Sequence, residues 1–246
     1  MKVSVITISY NSAETIEETI ISVINQDYGN IEYNIIDGGS KDNTLEIINK
    51  YKSSISNIIS EKDNGIYDAM NKGVKISTGD IIGILNSDDI YKDMNVISDI
   101  VSNIKEKDAI YADLVYVDRL NINKVNRYWR SGKYKKSAFL YGWMPPHPTF
   151  FVKRNCYKKY GLYNTTLKSA SDYELMLRFI HIHKISITYL PRVITKMRTG
   201  GVSNITFVNR YKANREDKIA WQINNLKPYF FTFILKPLRK LKQYYL

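Results

Sequence analysis

The feature that most constrains the fold is a repeated order in the first 90 residues: a short β-branched apolar run, then a helical pattern, several times over. The apolar runs are Val3–Ser9 (VSVITIS), Ile31–Asp37 (IEYNIID), Ile55–Asp63 (ISNIISEKD) and Gly79–Leu85 (GDIIGIL). Between them lie YNSAETIEETIISVINQ, LEIINKY and IYDAMNKGVKIS. In the first of these, Asn11 reads as an N-cap with Glu14 three residues on, and Ile16, Ile20, Val23 and Ile24 recur at helical spacing. Ser40 and Asp42 read as the starters of the second helix. Strand–helix alternation of this kind predicts a parallel, Rossmann-like sheet flanked by helices. Ligands bind such sheets at the carboxyl ends of the strands. Asp37, Asp63, Asp88 and Asp89 all fall at predicted strand ends. Four carboxylates on one edge exceed what helix capping needs, so this edge is the candidate ligand site.

Asp88 and Asp89 repel one another unless something cationic lies between them. Adjacent carboxylates after a buried strand are hard oxygen ligands suited to Mg²⁺ or Mn²⁺, ions that clamp diphosphates and neutralise a leaving group. No Walker-type glycine loop is present and no GxGxxG follows the first strand. A P-loop NTPase or a dinucleotide dehydrogenase is therefore disfavoured. Three histidines without HExxH spacing make no zinc site.

Charge is split along the chain. Residues 1–118 carry 20 Asp/Glu against 10 Lys/Arg, whereas residues 119–246 carry 4 against 26. Such asymmetry predicts an anionic partner for the second half, against the plainer reading of a solvated lysine surface. The lone Cys156 forms no internal disulfide and reads as a small buried residue. The N-terminal run lacks a secretory pattern, and no stretch reaches the ~18 apolar residues of a membrane span. A cytoplasmic location is the expectation.

Beyond residue 100 the pattern loosens. Strands are expected within AIYADLVYVDR, at 149–152 and within KISITYLPRVITKMR; a helix is expected from about Ser171, and others from Arg210 onward. The expected organisation is one domain over 1–205 with a basic, aromatic, helical appendage at 206–246.

The chain resembles the family-2 inverting glycosyltransferases of GT-A fold, close to the bacterial exopolysaccharide and O-antigen group. The matching pieces are ITISYN at 6–11, IIDGGSKDNT at 35–44 and SEKDNGIYDAMNKGVKISTGDIIGILNSDD at 60–89. HPTFFVKR at 147–154, SASDYELMLR at 169–178 and GGVS at 200–203 match more weakly. The resemblance implies a nucleotide-sugar donor, most simply a UDP-sugar, and a divalent ion, Mn²⁺ or Mg²⁺. It assigns Thr7, Ser9, Asn11 and Asp37 to the nucleotide, with Asp37 on the base and Asp63 and Lys72 lining the same pocket. Asp88 would approach the ribose and Asp89 the metal, although NSD at 86–88 stands where many relatives have Asp-x-Asp, which leaves the metal ligand open between the two. Asp172 takes the general-base position, against a reading as a helix N-cap, with Glu174 as the substitute. His147, Trp143 and Glu174 are acceptor-side candidates; Tyr141 and Phe139 share that loop, with Phe139 the more core-like.

The implied partner is a lipid-diphosphate-linked glycan at the inner membrane face, met by the basic tail with Phe230, Phe231, Phe233 and Leu235 inserting. Packing of the tail on the domain or on a second subunit of a homodimer is the alternative, and no nucleic-acid partner is expected. Two rival functions are a sugar-1-phosphate nucleotidyltransferase, which lacks its glycine- and basic-rich loop here, and a non-enzymatic polyanion-binding module, supported only by the acid-free segment 119–171.

Overall fold

The computed structural model describes residues 1–200, 207–241 and 243–244. The first half carries β1 (Val3–Ser9), α1 (Ile16–Ile24), β2 (Ile31–Asp37), α2 (Thr44–Lys50), β3 (Asn57–Ser60), α3 (Ile66–Ile76) and β4 (Ile81–Asn86). Then come β5 (Asp89–Tyr91), α4 (Val96–Ile104), β6 (Ala109–Val117), β7 (Val125–Trp129), β8 (Phe151–Lys153), α5 (Arg154–Tyr160) and α6 (Ser171–Met176). A π-helical segment, Leu177–Ile182, extends α6, and β9 (Ile187–Arg198), α7 (Phe207–Ile223) and α8 (Thr232–Leu241) follow.

One sheet runs in the order β3-β2-β1-β4-β8-β6-β9-β5, with β7 paired to β6. The first four strands are parallel, as the alternation requires. The second half mixes the parallel pair β6–β9 with antiparallel partners. Successive side chains of a strand point to opposite faces, and β1 divides accordingly. Ile6 and Ile8 enter a core with Met70 and Val74 of α3, whereas Val3 and Val5 pack with Ile16, Ile20 and Val23 of α1. Burial of each such side chain stabilises by roughly 1.5–3 kcal/mol, and both faces of β1 are covered, so all seven of its residues are buried.

Two local expectations are corrected. Asn11 is not the cap of α1: its φ is 48°, and the helix starts at Ile16, whose N–H donates to the Ser12 carbonyl at 2.9 Å. Asp172 is not a cap either, because the residue before α6 is Ala170 and no side chain caps that end.

The tail does not hang free. Ala220 and Trp221 of α7 are buried in the same core as Tyr173, and the Trp221 indole N–H donates to the Tyr173 hydroxyl at 2.8 Å. The Thr232 hydroxyl donates to the Leu140 carbonyl at 2.6 Å, and Lys236 pairs with the buried Asp217 at 2.7 Å. Phe231, Phe233 and Leu235, expected to insert into lipid, are only partly exposed. Among the described residues, no helix is long and apolar enough to cross a membrane.

Candidate active site

Strands β1, β2, β3 and β4 end at Ser9, Asp37, Ser60 and Asn86, in register, so their following loops leave from one edge. The loops are stitched together there. The Asn11 N–H donates to the Ser40 hydroxyl and the Asn11 side-chain carbonyl accepts from the Lys41 N–H, both at 2.8 Å. Asp37 sits beneath them with 0% exposure. It accepts from the hydroxyls of Ser9 (3.1 Å), Ser40 (2.5 Å) and Ser60 (2.8 Å), and from the N–H groups of Gly39 (3.1 Å) and Ser40 (2.9 Å). Five donors leave this carboxylate as the rivet of the edge rather than an open acceptor for a base. Thr7 is likewise enclosed, its hydroxyl accepting from Tyr33 at 3.0 Å, because a mid-strand residue has both faces of the sheet covered. Thr7, Ser9 and Asp37 thus support the pocket floor and offer no exposed group of their own.

Tyr10 and Asp63 remain open on that edge. Tyr10 is 60% exposed and directly follows β1. Asp63 is partly buried and accepts from the Gly65 N–H at 2.9 Å. Gly38 lies between them, and a Cβ there would stand 2.5 Å from Asp63 Oδ2 and 3.5 Å from the Tyr10 ring. A side chain at this position would push the Asp63 carboxylate aside, so glycine leaves room for it beside the Tyr10 ring. A flat apolar face beside a hydrogen-bond acceptor is what a heterocyclic base requires. Lys72 is committed nearby, pairing with Glu61 at 2.8 Å and donating to the Lys62 carbonyl at 3.3 Å. Tyr10 escaped the sequence reading because one aromatic at a strand end looks like any other; its exposure is the distinguishing observation.

The paired acids occupy the turn from β4 into β5. Thr19 of α1 holds this turn by donating to the carbonyls of Ser87 (3.0 Å) and Asp89 (2.8 Å). Arg198, at the end of β9, donates to the Asp88 carbonyl at 2.8 Å and pairs with Glu18. Arg198 is not legible from local sequence, since its partners are 110 and 180 residues away. Asp88 is partly exposed, whereas Asp89 is 0% exposed. Burial raises both pKa values, Asp89 the more, with the Asp88 charge adding to the effect on Asp89. Asp89 Oδ2 accepts from the Asn86 amide at 2.9 Å, while Asp89 Oδ1 and Asn86 Oδ1 are buried without a hydrogen-bond partner.

A carboxylate oxygen and an amide oxygen, both buried without a partner and next to Asp88, fit a divalent cation. Among the described residues no set of three or more His, Cys, Asp or Glu could complete a cage. The pair therefore suits the mode in which one or two carboxylates share a metal with substrate phosphates.

Asp172 lies in the first turn of α6, partly exposed. Its Oδ1 accepts from the Tyr67 hydroxyl at 3.2 Å. Tyr67 belongs to the first turn of α3, just after Asp63–Gly65, so this bond ties Asp172 to the strand-end edge. Burial, with the charge of Asp172, raises the Tyr67 pKa well above its usual value, which keeps the hydroxyl a donor. Tyr67 stacks on Tyr163 with ring centroids 6.0 Å apart, and the Tyr163 hydroxyl lies 2.8 Å from His147 Nε2. His147 is buried, which lowers its pKa, and the Asp172 charge partly offsets this. Two tyrosines thus stand between His147 and Asp172, across which the carboxylate charge still acts on the ring.

Two acceptor candidates are corrected. Trp143 is 5% exposed, its indole N–H donating to the Ser131 carbonyl at 2.8 Å and its ring edge-on to Phe139, so it is core. Glu174 is 3% exposed; its oxygens take Arg178 at 2.8 and 3.0 Å and the Asn224 amide at 3.0 Å. A buried, paired carboxylate of this kind cannot serve as the substitute base. Phe139 is core, as expected, and Tyr141 is exposed. Of GGVS, Gly200 is described, and 201–203 lie outside the described residues.

Residues 4–168 match the family model for glycosyl transferase family 2. The chain belongs to glycosyl transferase family 2. Among relatives, it is 28% identical over 205 residues to a PGL/p-HBAD biosynthesis glycosyltransferase of Mycobacterium bovis, covering 82% of this chain and 78% of the relative. It is 32% identical over 178 residues to an uncharacterized glycosyltransferase of Mycobacterium tuberculosis, covering 72% and 68%. Among solved structures, S. aureus TarS matches with TM-score 0.66 at 21% identity over 89% of this chain, which spans 39% of that one. The mannosyltransferase PcManGT from Pyrobaculum calidifontis, in complex with GDP-Man and Mn²⁺, matches with TM-score 0.69 at 19% identity, over 95% of this chain and 68% of that one. TarS 1–349 has also been solved with UDP-GlcNAc, and this family-2 enzyme matches it with TM-score 0.67 at 19% identity, over 89% of this chain and 66% of that one. The GT-A fold is thereby established for this glycosyltransferase.

Proposed function

We propose that this family-2 glycosyltransferase moves a sugar, with inversion, from a nucleotide sugar to a hydroxyl of a lipid-linked glycan in surface-polysaccharide synthesis at the cytoplasmic face of the membrane. The observation that carries the reading is the hydrogen bond from Tyr67 to Asp172, which fixes a partly exposed carboxylate beside the nucleotide-side edge. Asp172 takes the proton from the acceptor hydroxyl as the acceptor oxygen bonds to the anomeric carbon. The bond from that carbon to the donor phosphate breaks, and its electron pair departs on the diphosphate. Tyr10 stacks on the base, Asp63 accepts from its ring N–H, and Gly38 leaves room for both. Asp88 and Asp89 are the residues that would hold Mn²⁺ or Mg²⁺, which neutralises charge on the leaving diphosphate.

A UDP-sugar is the preferred donor; a carboxylate acceptor beside the stacking ring fits a base with a ring N–H, which uracil, thymine and guanine all carry, and TarS 1–349 has been solved with UDP-GlcNAc, PcManGT with GDP-Man. The test is a thermal-shift panel of UDP-, GDP- and dTDP-sugars with Mn²⁺, followed by transfer assays with the best binder. Stabilisation by a UDP-sugar that Asp63→Ala abolishes supports the reading. Equal shifts across the panel, or none, would overturn the donor assignment.

A further inference from the structure

α8 is docked by one face only. That face carries Thr232, bonded to the Leu140 carbonyl, and Lys236, whose ammonium lies 3.6 Å from the Tyr173 ring centroid. At Gly142 (φ 71°) a Cβ would stand 2.4 Å from the Lys236 backbone nitrogen, so the helix is seated directly on backbone. The opposite face is apolar and uncovered. Phe230 is 88% exposed, and Ile234, Leu238 and Leu241 follow as exposed residues along the same helical stripe. Tyr229 and Tyr141, both exposed, adjoin it with ring centroids 6.1 Å apart.

The surroundings are cationic. Residues 227–246 contain five Lys/Arg and no Asp/Glu; Lys236 turns inward to Asp217, while Lys227 and Arg239 are exposed. Lys135 and Lys136, also exposed, precede the turn on which α8 sits. An apolar stripe rimmed by cations has the chemistry of a helix lying in a membrane interface. A protein partner would need a matching apolar groove ringed with acids, and a second copy of this chain would oppose like charges.

We propose that the outer face of α8, centred on Ile234 and Leu238, rests on an anionic lipid bilayer, with Phe230 and Leu241 entering beside them and the flanking cations on the headgroups. Of the residues the bare sequence singles out, Phe230 stays on this exposed face, whereas Phe231, Phe233 and Leu235 are partly buried and Ile234, Leu238 and Leu241 take their place. The test is co-sedimentation of the full chain with vesicles of phosphatidylcholine alone or mixed with phosphatidylglycerol. Binding to the mixed vesicles, weakened by salt, is expected. Ile234→Ser with Leu238→Ser should weaken it at least about tenfold, and Arg239→Ser should reduce the salt dependence, with melting temperature and nucleotide-sugar binding unchanged.

No binding to anionic vesicles, or equal binding by the double variant, would overturn the proposal. So would a dimer, seen by sedimentation equilibrium, that the double variant dissociates. Vesicle binding is read without turnover, so it can fail while the transfer reading stands, and the reverse.

Discussion

Asp89→Asn should make the metal-free protein more stable, an unusual direction for a change at a fully buried residue. Asp89 Oδ1 is buried without a partner, and its neighbour Asp88 carries a like charge. Asparagine has nearly the same shape, removes the buried charge, and leaves an oxygen to accept from the Asn86 amide that now stands at 2.9 Å. Relieving an uncompensated buried polar group is worth about 1–3 kcal/mol. For a chain of this size about 2 kcal/mol corresponds to a melting temperature roughly 4–8 °C higher. The assay is thermal unfolding in EDTA at neutral pH, repeated with Mn²⁺ and nucleotide. Binding at a hundredfold excess over Kd stabilises by about 2.7 kcal/mol, so wild type should shift upward with the ion and Asp89→Asn should not. A variant that melts lower than wild type in EDTA, or that shifts equally with Mn²⁺, would refute the reasoning.

Other outcomes follow from the same geometry. Tyr67→Phe removes a hydrogen bond to a carboxylate, so kcat should fall about tenfold or more with the donor KM unchanged; a normal kcat would show that Asp172 needs no positioning. Tyr10→Ala should raise the donor Kd about tenfold through lost stacking, with little change in melting temperature because the ring is exposed. Glu32 is buried, which pushes its pKa up, but hydrogen bonds from Lys2, Ser4 and Thr78 outweigh this and hold it at about 2, below the ordinary 4.5. A depressed carboxylate contributes stability above about pH 4.5 that disappears as pH falls toward 2. Solvent around Lys2 screens the effect, so Glu32→Gln should cost about 1–2 kcal/mol at pH 7, a gap that closes on acid titration.

The parallel half of the fold was legible because its physics is local. β-branched runs of two-residue period and helices of 3.6-residue period alternate, and strand-end acids mark the edge where ligands bind. Chemistry that depends on pairs remote in sequence was not legible. Nothing in SASDYELM says that Asp172 accepts from a tyrosine 105 positions earlier, or that Glu174, two residues on, is turned into the core by Arg178. Asp37 was found at the right edge, yet its five internal donors come from three separate segments. Trp143 reads equally well as sugar platform or core until its indole N–H is seen bonded to Ser131. For α8 the composition identified a basic, aromatic helix, and only packing separates its docked face from its bare one.

The central claim is that Asp172 is the general base, and Asp172→Asn tests it most directly. The substitution cannot disturb a helix cap, since Ala170 holds that position, and the asparagine carbonyl can still accept from Tyr67. The measurement is single-turnover transfer at saturating nucleotide sugar and Mn²⁺, beside donor binding and thermal unfolding. The prediction is transfer at least about a hundredfold slower, with donor affinity and melting temperature near wild type. Transfer at the wild-type rate by a folded, donor-binding Asp172→Asn protein would contradict it.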